Sequence, residues 1–203
     1  MDALKPSGTV SPPYSTVSTN LNLPNGLTLL RILLIPVFVL LFLHPTGERA
    51  LAAAAVFTTA AVTDLLDGYL ARRRSQITKL GRLLDPIADK LLVLSGLILL
   101  VQLQRVGAVV AILIIAREVA VTGVRAIAAA EGIALTPEAI GKYKMIAQVV
   151  AIVMLILERE SLGFPFDLHL IGTALLYAAL ILGWISGGQY LVSFWRQVAR
   201  KGW

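Results

Sequence analysis

Four aspartates lie within 26 residues of a strongly apolar chain, between Asp64 and Asp89. Asp64 and Asp67 are spaced i, i+3, and Asp85 and Asp89 are spaced i, i+4, so each pair falls on one face of a helix. A carboxylate in a membrane helix costs about 2.5–3.5 kcal/mol near its centre, so such residues usually serve a function. Four converging carboxylates cannot all stay ionised without cations between them. The pattern predicts two oxygen-preferring divalent cations, Mg²⁺ or Mn²⁺, about 4 Å apart, which is an arrangement suited to attack at phosphorus.

Two other interpretations fit acidic residues in apolar helices. The aspartates could form structural salt bridges with Arg72, Arg82 and Lys90, although four carboxylates at face-matching spacing favour a metal site. A divalent-cation transporter would need carboxylates along a path across the membrane. All four aspartates lie towards one side, and the remaining halves of these helices, such as LVLSGLILL, carry no ionisable residue.

The composition indicates an integral membrane protein. Of 203 residues, 57% are hydrophobic and only 15% are charged, and the mean hydropathy is +0.80. Soluble domains have about 45–50% apolar and about 25% charged residues. Cysteine is absent, so neither disulfides nor cysteine-bound metal is possible. The net charge of +6 is explained by cationic cytoplasmic loops, and no basic patch interleaved with aromatics indicates nucleic-acid binding.

The elements that must position the aspartates are six apolar segments, which predict an all-α bundle of six transmembrane helices. The predicted spans are Leu27–Leu43, Ala50–Arg72, Leu83–Leu103, Val106–Ala130, Ile140–Leu157 and Leu168–Trp195. Only the last contains an uncharged run longer than 18 residues. Residues 1–20, rich in Ser, Thr and Pro, predict a disordered tail, and residues 21–203 a single membrane domain.

The distribution of Lys and Arg predicts the orientation in the membrane. With the N-terminus in the cytoplasm, the inner loops carry eleven of these residues and the outer loops three. Both termini are then cytoplasmic, and the second and third helices form a hairpin that turns at the cytoplasmic face. Asp64 and Asp89 lie about 10–12 Å below that turn at 1.5 Å per residue. We therefore expect a cytoplasm-facing polar cavity in a multi-pass protein of the cell (inner) membrane.

The aspartate pattern as a whole resembles the signature of the CDP-alcohol phosphatidyltransferases, and every fixed position is filled. In this chain the signature reads Asp64-x-x-Asp67-Gly68-x-x-Ala71-Arg72, then eight residues, then Gly81-x-x-x-Asp85-x-x-x-Asp89. The resemblance implies transfer of a phosphatidyl group from CDP-diacylglycerol to an alcohol with release of CMP, by a homodimer. It also implies that Asp64 and Asp85 bridge the two ions, that Asp67 holds one, and that Asp89 is both a ligand and the general base.

The same resemblance implies a CDP-diacylglycerol pocket beside the aspartates. The residues at the corresponding positions are Asn25, Gly26, Leu27, Thr28, Gly68, Arg72, Thr78 and Gly81.

The acceptor is indicated by a second, less specific similarity. The segments LNLPNGLTLLRILLIP and AREVAVTGVRAIAAAEG…GKYK resemble family members that use sn-glycerol 3-phosphate. This acceptor is a dianion and needs cations. We expect Arg125 and Lys142 to contact its phosphate, with Lys144 nearby and Arg117 deeper, held by Glu118.

Several alternatives remain open for the acceptor site. Arg117 could pair with an acidic neighbour only to order the bundle, and Lys144 could lie at the membrane interface. Met145 stands where the resembled pattern Gly-Lys-x-Lys-Thr has threonine. Inositol phosphate, serine and phosphatidylglycerol, acceptors of other family members, therefore remain alternatives to glycerol 3-phosphate.

Overall fold

The computed structural model describes the backbone of residues 23–74, 79–131, 139–158 and 167–200. Side chains are described for residues 26–63, 88, 90–131, 141–158 and 167–199. The regular structure in these ranges is α-helical, in the order α1 (Leu23–Phe42), α2 (Gly47–Arg74), α3 (Lys79–Gln102), α4 (Ala108–Ala130), α5 (Ala139–Leu157) and α6 (Leu168–Arg200). The all-α prediction is thus confirmed for the described residues. The predicted tail, residues 1–20, lies outside them.

Two threonines of α2 are accommodated in an apolar helix because their hydroxyls bond to the helix itself. Thr58 Oγ1 donates to the carbonyl of Ala54, and Thr63 Oγ1 donates to that of Thr59, both at 2.7 Å. Such bonds to the i−4 carbonyl satisfy a hydroxyl without a partner from another helix. The helix therefore continues through Thr63 into the segment that carries the first two aspartates.

The helices pack in a connected bundle. α1 lies against α2 and α3, α2 contacts α5, and α6 packs along both α5 and α4. An aromatic group fills the centre of the α1–α2 contact, with ring centroids 5.7 Å apart for Phe38 and Phe42 and 5.3 Å apart for Phe38 and Phe57. Gly96 of α3 fits against this group, since a Cβ there would lie 3.2 Å from the Phe57 ring. This packing fixes the rotation of α3 relative to α1 and α2.

Besides its apolar core, this bundle buries several charged residues and exposes many large apolar ones. The charged residues Arg31, Arg117 and Glu118 are buried, whereas Leu40 is 72% exposed and Val109 is 69% exposed. Charged groups within membrane helices face the bundle interior, and apolar side chains can face lipid. The pattern is typical of helices surrounded by an apolar medium.

One helical segment of the described residues, Leu168–Ala199, is long and apolar enough to span a membrane. The segments Gly26–Phe42 and Lys90–Gln102 are apolar but shorter. This agrees with the sequence, in which only the last predicted span has an uncharged run longer than 18 residues. The chain thus has a membrane-type helix, consistent with membrane association.

A group of polar residues, the Arg105 cluster (Arg105, Glu158 and His169), closes the end of the bundle away from the α2–α3 connection. Arg105 Nη1 donates to the carbonyls of Leu155 and Ile156 in the last turn of α5, at 2.9 and 2.6 Å. Its Nε lies 3.4 Å from Glu158 Oε1, and Glu158 Oε2 contacts His169 Nδ1 at the start of α6. The last carbonyls of a helix lack partners within it, so this arginine completes α5 and ties it to α6.

Candidate active site

The helices α2 and α3 carry the four aspartates at matching positions on either side of a short connection. α2 ends at Arg74 and α3 begins at Lys79, so Asp64 and Asp89 each lie ten residues from that connection. At about 1.5 Å per residue, this places both at a depth of roughly 15 Å. Asp67 and Asp85 lie nearer the connection on the same two helices. The backbone thus brings the two pairs to similar depths, and the aspartate side chains lie outside the described part of the chain.

Most of the predicted CDP-diacylglycerol pocket lies in the same region. Gly68 and Arg72 belong to α2, Gly81 to α3 and Asn25 to the first turn of α1. Their side-chain surroundings, and Thr78 as a whole, fall outside the described residues.

The first turns of α1 provide the described part of that pocket. Gly26 and Leu27 precede Thr28, which is buried, and one turn further on Arg31 is buried as well. A Cβ added to Gly26 would meet no described atom within 4 Å. The start of α1 therefore combines a glycine that the described residues leave uncovered with buried polar side chains.

A second polar group, the Glu118 cluster (Lys90, Arg117, Glu118 and Lys144), lies inside the bundle. Glu118 Oε1 accepts from Lys144 Nζ and, at 3.1 Å, from Arg117 Nη1, whereas Glu118 Oε2 accepts from Lys90 Nζ. The glutamate side chain is only 5% exposed. One buried carboxylate thus joins α3, α4 and α5.

Arg117 is held by α6 as well as by Glu118. Its Nε donates to the carbonyl of Gly183 at 2.7 Å. A Cβ at Gly183 or Gly187 would lie 3.5 Å from that same Nε, which shows how closely the guanidinium approaches the α6 backbone. The two glycines, four residues apart, form the surface on which this arginine lies.

The interface between α5 and α6 contains two more buried polar groups beside the Glu118 cluster. Ser186 Oγ lies between the two α6 glycines in sequence, and Gln148 Oε1 lies one turn after Lys144. Neither atom has a hydrogen-bond partner among the described residues. Leaving a buried polar atom unpaired costs about 1–3 kcal/mol. Packing alone therefore does not explain why these two positions carry polar side chains.

Arg125, two turns after Arg117 on α4, remains exposed. Its guanidinium carbon lies 4.5 Å from the centre of the Tyr190 ring of α6, in a cation–π contact. Tyr190 is buried, and Lys142 at the start of α5 is exposed. The structure therefore divides the four predicted acceptor-site cations into two buried ones, Arg117 and Lys144, and two exposed ones.

Arg117 does pair with Glu118, as expected, whereas the burial of Lys144 argues against a position at the membrane interface. Lys90 and Tyr190 were not predicted as parts of this site. The only sequence signals for them were the adjacency of Lys90 to Asp89 and the spacing of Tyr190 from Gly183 and Gly187.

The chemistry of the four aspartates fits divalent cations. Carboxylate oxygens are the ligands that Mg²⁺ and Mn²⁺ prefer, and the two helices bring four of them to similar depths. Among the described side chains no three or more His, Asp or Glu residues converge on a metal position. The described side chains thus offer no metal site that competes with the one predicted at the aspartates.

A cavity of about 500 Å³ among the described residues lies at the other end of the bundle. Arg105, Gln104, His169 and Tyr177 line it together with apolar side chains. Arg105 already donates to two carbonyls there, and the described lining contains no carboxylate. This cavity is therefore not the one predicted beside the aspartates.

Comparisons with known proteins agree with the aspartate signature. The family model for CDP-alcohol phosphatidyltransferase matches residues 21–185. A protein of Bacillus subtilis is 40% identical over 190 residues, covering 86% of this chain and 95% of that protein. One of Pseudomonas fluorescens is 40% identical over 191 residues, covering 90% and 94%, and one of Rickettsia typhi is 37% identical over 169 residues, covering 83% and 94%.

All three relatives are named CDP-diacylglycerol–glycerol-3-phosphate 3-phosphatidyltransferase. The family match covers most of the chain, and it includes both aspartate pairs and the Glu118 cluster. This chain belongs to the CDP-alcohol phosphatidyltransferase family, and it is an enzyme of the phosphatidyltransferase class.

Proposed function

We propose that this enzyme transfers the phosphatidyl group of CDP-diacylglycerol to sn-glycerol 3-phosphate, forming phosphatidylglycerophosphate and releasing CMP. The observation that carries the proposal is the 37–40% identity, over more than four fifths of the chain, to relatives named for this reaction. The cations in and around α4 support it, because an acceptor that bears a phosphate dianion needs positive charge. A serine acceptor would have no such need.

The proposal includes a six-span arrangement in the cell (inner) membrane, with residues 21–203 as one membrane domain. Exposed apolar side chains on α1, α4 and α6 support it, as do the buried charges between the helices. The excess of eleven inner over three outer Lys and Arg residues favours cytoplasmic termini and a polar cavity open to the cytoplasm. A homodimer, which the family resemblance implies, would cover part of the exposed apolar surface.

Asp64, Asp67, Asp85 and Asp89 would hold two divalent cations, Mg²⁺ or Mn²⁺. When bound, these cations supply positive charge to the pyrophosphate oxygens of the donor as negative charge builds up there. Asn25, Gly26, Leu27 and Thr28 of α1, with Gly68, Arg72, Thr78 and Gly81, would bind CDP-diacylglycerol on the same side of the bundle.

The transfer itself requires one proton acceptor in the right place. Asp89 would accept the proton of the acceptor hydroxyl while that oxygen forms a bond to the phosphatidyl phosphorus. The bond from this phosphorus to the bridging oxygen breaks, and CMP leaves with that oxygen. Asp89 suits this role because it lies deep in α3 and is followed by Lys90, which contacts α4.

The acceptor phosphate would be bound from the opposite side by α4 and α5. Arg125 and Lys142 are exposed and can reach a soluble ligand directly. Arg117 and Lys144 lie deeper, and both contact Glu118. The two exposed cations would therefore contact the phosphate directly, and the two buried ones would add positive charge deeper in the site.

The test is CMP release by the purified protein with CDP-diacylglycerol and Mg²⁺ or Mn²⁺, using glycerol 3-phosphate, inositol phosphate, serine or phosphatidylglycerol in turn. We expect release chiefly with glycerol 3-phosphate. Release only with another acceptor would contradict the acceptor assignment, and no release with any acceptor would contradict the transferase reaction.

Two substitutions separate the roles of the site residues. Asp89→Asn should lower turnover by about 10²–10⁴-fold, the range of general-base catalysis, while CDP-diacylglycerol still binds. Arg125→Ala should raise the KM for glycerol 3-phosphate far more than that for the lipid. An unchanged acceptor KM in this variant would place the phosphate elsewhere.

A further inference from the structure

The two carboxylate oxygens of Glu118 serve different helices. Oε2 accepts from Lys90 of α3, while Oε1 accepts from Lys144 of α5 and from Arg117 of α4 itself. The side chain is buried, and three cations approach it from three helices. Because its two oxygens bind different helices, this carboxylate sets the distance of Lys90 from Arg117 and Lys144. It also balances part of their positive charge.

The contact with α3 is made by Lys90, the residue directly after Asp89. Neighbouring residues of a helix are linked by a fixed rise of about 1.5 Å and a turn of about 100°. Any sliding or rotation of α3 that moved the backbone at Asp89 would therefore also move Lys90 away from Glu118. The Lys90–Glu118 pair thus holds the turn of α3 that contains Asp89 in place relative to α4.

The other oxygen fixes the cations that face the acceptor phosphate in the proposed reaction. Arg117 is clamped between Glu118 Oε1 and the Gly183 carbonyl of α6, and Lys144 shares the same oxygen. Both cations are therefore held before any ligand binds, which reduces the ordering that binding requires.

We infer that Glu118 is a positioning residue that sets the distance between the turn of α3 that contains Asp89 and the cationic side chains of α4 and α5. This inference rests on the proposed function, in which Asp89 takes the acceptor proton and the cations bind the acceptor phosphate. Glu118 itself touches no reacting atom. It keeps Asp89, which takes the hydroxyl proton, and the cations, which bind the phosphate, at the distance that one acceptor molecule spans.

A purely structural role for Glu118 makes a different prediction. Glu158, the buried glutamate of the Arg105 cluster, also pairs with an arginine, but far from the aspartate hairpin. If Glu118 only held the bundle together, Glu118→Gln and Glu158→Gln would both lower stability and leave the kinetic constants of the folded enzyme unchanged. If Glu118 positions the site, only Glu118→Gln changes those constants.

The experiment measures CMP release by the full-length protein in lipid nanodiscs, varying each substrate while the other is saturating. For Glu118→Gln we expect at least a tenfold rise in the KM for glycerol 3-phosphate, at least a tenfold fall in kcat, and a CDP-diacylglycerol KM within twofold of wild type. Glu118→Asp keeps the charge but shortens the reach, so it should restore the enzyme only in part. Glu158→Gln should leave all three constants within twofold.

Lys90→Met is a second test of the inference. Because Lys90 is partly exposed, this variant should fold even if Glu118→Gln does not. It should lower kcat about tenfold and leave the acceptor KM within threefold, whereas Lys144→Met should mainly raise that KM. Unchanged kcat in Lys90→Met, or unchanged constants in folded Glu118→Gln, would overturn the inference.

The outcomes also separate this inference from the proposed function. If wild type uses a different acceptor, the proposed acceptor is wrong and the same comparison is made with the acceptor it uses. Absence of CMP release from wild type with every acceptor would overturn both.

Discussion

Two buried arginines, Arg117 and Arg105, each lie beside a buried glutamate, but at different places along the helices. Arg105 follows the end of α3 and donates to the last carbonyls of α5, which have no partners within their own helix. Arg117 lies in the middle of α4, where the backbone groups already bond within the helix. Helix termination therefore explains the position of the first arginine but not that of the second.

The described contacts of the two clusters also differ. Those of Glu158 are with Arg105 and with His169, which is half-exposed. Glu118 contacts three cations, all on helices that continue well beyond the contact. Burying charge within apolar helices is costly, and helix termination does not account for the Glu118 cluster, whereas the proposed role in the acceptor site would.

The first prediction applies one substitution to both arginines. Arg117→Lys keeps the charge but loses the bond to the Gly183 carbonyl, which is worth about 1.5–3 kcal/mol because a charged group takes part. Since about 1.36 kcal/mol corresponds to tenfold in rate, kcat/KM for glycerol 3-phosphate should fall about 10–100-fold. Arg105→Lys should instead lower the free energy of unfolding by about 1.5–3 kcal/mol, with kcat/KM of the folded enzyme within twofold.

Steady-state CMP release and detergent-induced unfolding measure the two effects separately. A loss of kcat/KM in Arg105→Lys as large as that in Arg117→Lys would erase the difference between the clusters.

The second prediction concerns the helix packing beside the Arg105 cluster. A Cβ at Gly172 of α6 would lie 3.0 Å from Leu155 Cγ and 3.1 Å from Met154 Cβ, in the turn of α5 that Arg105 completes. Overpacking of this kind costs about 1–3 kcal/mol, so Gly172→Ala should destabilise the protein by that amount. Gly188→Ala on the same helix meets no described atom within 4 Å and should stabilise it slightly, because alanine favours helix over glycine by about 1 kcal/mol.

Unfolding midpoints of the two alanine variants provide the measurement, and CMP release should be normal in both. A stable Gly172→Ala protein would mean that α5 and α6 can separate at this end without cost.

The sequence predicts the helices well because apolar runs bounded by turn residues leave few alternatives. The predicted span Leu168–Trp195 corresponds to α6, Leu168–Arg200, and Ile140–Leu157 to α5, Ala139–Leu157. The main errors lie at helix ends. α4 begins after Gly107, whose extended backbone (ψ 135°) precludes an earlier start, and α2 extends through polar residues beyond the apolar run.

The candidate site is only partly predictable, because its contacts join distant parts of the chain. Regular spacing indicates that Asp64 and Asp67 share a face, since both lie on one helix. No local pattern shows that Lys90 and Lys144, on different helices, meet the same carboxylate at Glu118, because this depends on how α3, α4 and α5 pack. Arg105, which the sequence identifies only as an outer-loop cation, is buried for the same reason.

The third prediction tests whether the functional region extends to α6 through Tyr190. The ring of Tyr190 faces the Arg125 guanidinium, and such contacts are worth about 0.5–2 kcal/mol. Tyr190→Leu should therefore raise the KM for glycerol 3-phosphate about 2–10-fold, while Tyr190→Phe keeps the ring and should change it less than twofold. Equal effects of the two substitutions would show that the hydroxyl, and not the ring, holds Arg125.

The last and smallest effect is expected at the edge of the Arg105 cluster. His169 is 51% exposed, and a polar contact with an exposed partner contributes little, because water can replace it. His169→Gln should lower the free energy of unfolding by less than about 1 kcal/mol, with no change in CMP release. Glu158→Gln should cost clearly more, because it breaks the buried pair with Arg105. If His169→Gln were as destabilising as Glu158→Gln, the histidine would be integral to the cluster, and the difference between its exposed edge and its buried pair would disappear.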